Sequence, residues 1–108
     1  MTQGHTMTEH EFNVAADAAF RRIEQANDNS DQDIDYDSNG VVLEIEFENG
    51  NKIIVNRHVP NQEIWLAAKT GGFHYALQGE RWLSQRDGSE LFSKLTELFA
   101  EQGADIYF

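Results

Sequence analysis

Two Asn-Gly pairs, Asn39-Gly40 and Asn49-Gly50, stand ten residues apart with alternating apolar and charged residues on either side. Asn-Gly readily takes the positive φ angles of a type I′ turn, so the pairs predict two consecutive β-hairpins. Between them, Leu43, Ile45 and Phe47 alternate with Val42, Glu44, Glu46 and Glu48. A period of two sends one set toward a core and the other toward water. Upstream, Ile34 and Tyr36 alternate with Asp33, Asp35 and Asp37; downstream, "KIIVNR" sends Ile53 and Val55 inward and Ile54 and Asn56 outward. The middle of the chain is thereby committed to antiparallel sheet.

The flanks have a different period. Thr8 and Glu11 have the spacing of a capping box, and Phe12, Ala16, Ala19, Phe20 and Ile23 then recur at the steps of one helical stripe. Asp17, Arg21, Glu24 and Asp28 lie on a second stripe, expected to face water. Beyond Pro60, "EIWLAA" predicts a strand, Gly71-Gly72 a break, "FHYAL" another strand and "RWLSQ" the last. In these, Ile64, Leu66, Phe73, Tyr75 and Leu77 point in, whereas Trp65, Ala67, His74 and Ala76 point out. From near Ser89, Leu91, Phe92, Leu95, Leu98 and Phe99 mark a closing helix that Gly103 ends. Helix, about six meandering strands and helix make an α+β fold, a two-layer sandwich with both helices on one face of an antiparallel sheet. At 108 residues the chain is one domain, spanning 7–108. Residues 1–6 lack pattern and precede a second methionine, so they are expected to be an unstructured start or an added leader.

Seven Phe, two Trp and three Tyr make a folding composition, where a disordered chain would have few aromatics, so the acid excess is carried on a fold. A net charge of −11 opposes contact with nucleic acid and anionic membrane and attracts metal cations or basic protein patches. Absence of cysteine removes disulfides, thiolate metal sites and a thiol nucleophile, leaving oxygen and imidazole as metal ligands. Apolar runs are too short to span a bilayer, and a cytoplasmic location is expected.

The acid is concentrated. Asp28, Asp31, Asp33, Asp35 and Asp37 fall within ten residues, and Glu24 precedes Asp28 by one helical turn. Charge runs are usually solvated faces, and acidic edges also discourage aggregation. Against that bland role stands the mutual repulsion of six carboxylates with no Lys or Arg among the strand members. Neighbouring carboxylates that lean together supply two or three ligands, which suits weak, exposed binding of hydrated hard cations such as iron or manganese. An EF-hand is excluded, because "DNSDQDIDYDSNG" lacks Gly at loop position six and Glu at position twelve. His5, His10, His58 and His74 form no ligand pair or catalytic triad and read as ordinary surface histidines. Trp65, on a sheet face with nothing to cover it, has the character of a contact hot spot.

An acidic first helix and strand, then "FENGNKIIVNR", a proline followed by "EIWLAAKTGGFHYAL", and "ERWL" ahead of a final amphipathic helix closely resemble the bacterial frataxins of the CyaY type, from about Met7 to the end. The order Asn-Gly, Pro, Ile-Trp and Gly-Gly makes the resemblance specific. It implies a non-enzymatic iron-binding protein of iron–sulfur cluster assembly that docks on the cysteine desulfurase and scaffold protein and regulates cluster formation or supplies iron. The family's acidic ridge falls on Glu24, Asp28, Asp31, Asp33, Asp35 and Asp37, its exposed tryptophan on Trp65 and its asparagine before the turn on Asn56. Asp31, Asp33 and Asp35 would also meet a basic patch on the desulfurase. Iron, ferrous or ferric, would be weakly held, with other divalent cations able to substitute. The chain departs from the family pattern at His58 and Glu63, where glutamine is common. Two rival classes remain: a ferroxidase oxidising ferrous iron at surface carboxylates, and an acidic mimic that fills basic sites without metal.

Overall fold

The computed structural model describes residues 7–32 and 34–108; residues 1–6, expected to be an unstructured start, lie outside it. Helix α1 (Glu9–Asp28) opens on the capping box in both directions: the Thr8 N–H donates to Glu11 Oε1 at 2.8 Å and the Glu11 N–H to Thr8 Oγ1 at 3.0 Å. Its apolar stripe, Phe12, Ala16, Ala19, Phe20 and Ile23, is buried throughout. Strands β1 (Asp35–Ser38), β2 (Val42–Glu46), β3 (Lys52–His58), β4 (Glu63–Ala68), β5 (Gly71–Gln78) and β6 (Arg81–Ser84) follow as one antiparallel meander in sequence order. Helix α2 (Leu91–Glu101) is capped by the Glu90 carboxylate, which accepts from the Phe92 and Ser93 N–H groups at 3.0 Å each. Gly103, at φ +82°, ends it: the Gly103 N–H reaches the Ala100 carbonyl at 2.9 Å and the Ala104 N–H the Phe99 carbonyl at 3.0 Å, the paired bonds of a Schellman stop.

Inward strand residues Leu43, Ile45, Ile53, Val55, Ile64, Leu66 and Tyr75 share one core with the apolar stripes of both helices. The helices therefore cover one sheet face and leave the other open, the predicted two-layer architecture. Trp82 is on the covered face, buried, with its ring edge-on to Phe12 at 6.0 Å. Among the described residues, no helix is long and apolar enough to cross a membrane.

Local details depart from the expectations in three places. Neither Asn39 nor Asn49 takes a positive φ; only the glycines do, so neither hairpin has the type I′ turn. Ser38 pairs with Leu43, which centres the first turn on Gly40-Val41, and the Asn39 Oδ1 accepts from the Val41 and Val42 N–H groups at 2.9 and 2.8 Å. Asparagine thus works here through its side chain, and glycine supplies the backbone twist. Gly71 and Gly72 do not break the sheet: they begin β5, and the turn is Lys69-Thr70, since Ala68 pairs with Gly71. Asp17 does not simply face water, because the Arg57 guanidinium on the covered face lies 2.7 Å from its carboxylate and also donates to Asn13 Oδ1 at 3.2 Å.

Past Gly103 the chain packs back on the helices. Ala104 and Ile106 are buried, the Phe108 ring meets Phe99 edge-on at 4.8 Å, and Arg22 donates to the Phe108 carbonyl at 2.6 Å. The apolar residues of this five-residue tail are too few to show a period, so periodicity alone gives it no place in the core.

Candidate functional site

Among the described residues, strand β1 is an edge, paired with β2 alone. Its register sets Asp35 directly opposite Glu46, Tyr36 opposite Ile45 and Asp37 opposite Glu44. Directly opposed residues share a face, and Ile45 is fully buried, so Tyr36 faces the helix layer while Asp35 and Asp37 stand on the open face. The Tyr36 hydroxyl donates to Asp28 Oδ1, at the end of α1, at 2.9 Å. That bond, followed by partial burial and the charges of Asp28 and Glu24, holds the phenol above the usual tyrosine range.

Of the six acids predicted as one ridge, the five that are described are therefore distributed around an edge. Glu24 and Asp28 belong to the helix layer, Asp31 is exposed in the connection, and Asp35 and Asp37 face the other way. Asp33 lies outside the described residues. The structure adds Glu44 and Glu46, whose outward parity was legible but whose opposition to Asp37 and Asp35 depends on register. The hairpin fixes that register. Opposed Cβ atoms are about 4.5–5.5 Å apart, close enough for like charges to destabilise the pair. Lys52 offsets part of this, with its Nζ 3.6 Å from Glu44 Oε2, but both side chains are about half exposed, so the pair contributes little. A hollow of about 260 Å³ is lined by Asp35, Glu46, Phe47 and Glu48. Among the described residues, no three acidic or imidazole side chains are grouped to enclose one ion. Such an edge can share a hydrated cation between one or two carboxylates, with water completing the coordination.

Farther along the open face, Asn56 and His74 stand directly opposite Trp65 on its two neighbouring strands. Parity places Trp65 on the uncovered face as predicted, yet it is half-buried rather than laid open. The His58 ring lies parallel to the indole at 3.9 Å between centroids and 7° between planes, and the His74 ring lies parallel at 4.3 Å and 10°. The Trp65 Nε1–H donates to Glu63 Oε1 at 2.8 Å. His58 and His74 are thus partners of Trp65 and not independent surface residues. His74 could have been placed from its predicted outward parity; His58 required the pairing of β3 with β4, where it stands opposite Glu63.

A family model described as a frataxin-like domain matches residues 5–105. The iron–sulfur cluster assembly protein CyaY of Janthinobacterium sp. (strain Marseille) is 49% identical over 102 residues, covering 90% of this chain and 91% of that relative. The solved structure of frataxin from Psychromonas ingrahamii superposes with a TM-score of 0.87 at 35% identity, covering 94% of this chain and 97% of the other. Trimeric frataxin from the yeast Saccharomyces cerevisiae, described as complexed with ferrous iron, shares the fold with a TM-score of 0.67 at 24% identity, over 94% of this chain and 91% of the other.

Proposed function

The chain belongs to the frataxin-like family, and from that premise we propose that it serves iron–sulfur cluster assembly as an iron-binding protein that docks on the cysteine desulfurase and its scaffold. The observation that carries the iron-binding part is the register of the first hairpin, which sets Asp35 against Glu46 and Asp37 against Glu44. Two like-charge oppositions side by side carry a repulsion that a bound cation relieves. Carboxylates are hard ligands and suit ferrous or ferric iron; manganese and cobalt, held through the same oxygens, occupy overlapping sites. Glu24, Asp28 and Asp31 extend the negative field around the edge.

The same field meets the desulfurase. Acidic residues at an exposed edge steer a basic patch into place, and Trp65, with Asn56 beside it, supplies the apolar contact that fixes the encounter. Carboxylate pairs that leave most of an ion's coordination to water suit holding and releasing iron more than oxidising it, so the protein acts by binding and not as a ferroxidase. Its place of work is the cytoplasm.

Anaerobic titration with ferrous iron, followed by NMR, tests the reading. Broadening is expected at Asp28, Asp31, Asp35, Asp37, Glu44 and Glu46, with α2 unaffected. Broadening centred on His58 and His74 would assign the iron to the wrong ligands and overturn it.

A further inference from the structure

Both faces of the Trp65 indole are already covered, by His58 at 3.9 Å and His74 at 4.3 Å, and its single N–H is already given to Glu63 at 2.8 Å. A free indole on an open sheet offers a partner three things: a π-face for a cation or another ring, an N–H donor, and an apolar edge. Here the first two are used within the chain. What remains is the edge. We infer that His58, His74 and Glu63 are positioning residues that hold Trp65 edge-on, so that a partner takes the indole rim into an apolar slot instead of stacking a guanidinium or ring on its face.

The three restraints come from different strands. His58 lies on β3, Glu63 beside Trp65 on β4 and His74 on β5, so the orientation of the indole is fixed by the sheet itself and not by one flexible neighbour. The imidazoles stand on opposite sides of the ring and resist rotation in either direction, while the Glu63 bond fixes which edge is outward. Immobilising the ring before contact removes an ordering cost that association would otherwise carry. Around the stack, Ala67, Gly72 and Ala76 leave the open face low, which allows a partner surface to reach the projecting rim.

This inference rests on the reading that Trp65 meets the desulfurase, and its test separates the two. Relaxation of the two indole N–H groups in the full chain reports the clamp without any partner, with Trp82 as an internal control. The Trp65 order parameter is expected near the rigid-backbone value of about 0.85 and to fall below about 0.6 in the double variant His58→Ala, His74→Ala. The double variant His58→Phe, His74→Phe keeps two flat rings and discards imidazole chemistry; it should restore the rigid value. Affinity for the desulfurase should fall about three- to tenfold in the alanine pair, the range expected for freeing one large side chain, and recover in the phenylalanine pair. An indole that stays rigid without the imidazoles would overturn the clamp. A mobile indole that binds equally or more tightly would show that the partner uses its face. If the wild-type chain does not bind the desulfurase at all, the docking reading falls, and the clamp stands or falls by the relaxation alone.

Discussion

Asp28 already has a partner in the Tyr36 hydroxyl, 2.9 Å away, and any cation it holds must share or displace that bond. Removing the hydroxyl in Tyr36→Phe frees the carboxylate, so ferrous or manganous ions should bind the Asp28 side of the edge more tightly, by about two- to fivefold for one neutral–charged hydrogen bond partly replaced by water. Isothermal titration checks this, and weaker binding would show that Tyr36 helps to hold the ion. The phenol also has a pH signature. Its folded pKa is raised, first by the Asp28 bond, then by burial and by the charges of Asp28 and Glu24. The bond's contribution to stability is therefore complete below the unfolded tyrosine pKa of about 10 and is lost as pH rises through the folded value. Alkaline unfolding should be less steep in Tyr36→Phe than in the wild type. The two tryptophans make a second contrast at this scale. Trp82 is buried against Phe12, and Trp82→Ala should cost about 3–5 kcal/mol. Trp65→Ala removes two ring stacks on a half-exposed face and should cost about 1–2 kcal/mol, read by denaturant midpoints. Equal losses would mean that the open face is part of the core.

Among the elements, the helix ends and strand parities were legible because each rests on local rules. Thr8 and Glu11 cap α1 as their spacing requires, and Leu43, Ile45, Ile53, Val55, Ile64 and Leu66 all bury. Asp35, Asp37 and Trp65 were legible on the same grounds, as outward members of an alternation, and Glu24 and Asp28 from the helical spacing of one stripe. Pairing was not. Moving the turn from Gly40-Val41 to Asn39-Gly40 would shift each partner on the opposite strand by two residues, so that Asp35 would face Glu44 instead of Glu46 and Asp37 would face Val42 instead of Glu44. The His58–Trp65–His74 stack needs two such registers at once. The tail beyond α2 was illegible for another reason: its burial depends on where the helices leave space. Gly103 and Ile106 test how it is held. A Cβ at Gly103 would meet nothing within 4 Å, but the residue sits at φ +82°, so Gly103→Ala should cost about 1–2 kcal/mol through backbone strain alone. Ile106→Ala should cost about 2–5 kcal/mol as a buried deletion. Thermal unfolding distinguishes them, and a neutral Ile106→Ala would show that the tail only rests on the surface.

For the molecule as a whole, a charge of −11 on 108 residues is a standing repulsion that a fold tolerates and a partner exploits. The paired acids of β1 and β2 place both effects in one set of side chains. Changing Asp35 and Asp37 to Asn and Glu44 and Glu46 to Gln preserves shape and lowers the net charge from −11 to −7. Relief of two opposed pairs should stabilise the fold by roughly 1 kcal/mol at low salt, less whatever the exposed Lys52 contact contributed, and the gain should shrink as salt screens the wild-type repulsion. Loss of the same charges should weaken iron binding at the open face and slow association with the desulfurase several-fold, with a flatter dependence on ionic strength, as when rim charges are removed from a steered encounter. On the proposed function, iron and the basic patch should then compete for one surface in the wild type: a bound ferrous ion would neutralise part of the steering field, so it should slow docking at low salt and have little effect in the quadruple variant. Stopped-flow association at two ionic strengths, with and without ferrous iron, reads all of this together. If the variant docks as fast as the wild type and iron still slows both, the acids of β1 and β2 neither steer the partner nor hold the competing ion, and the Trp65 face would carry the encounter alone.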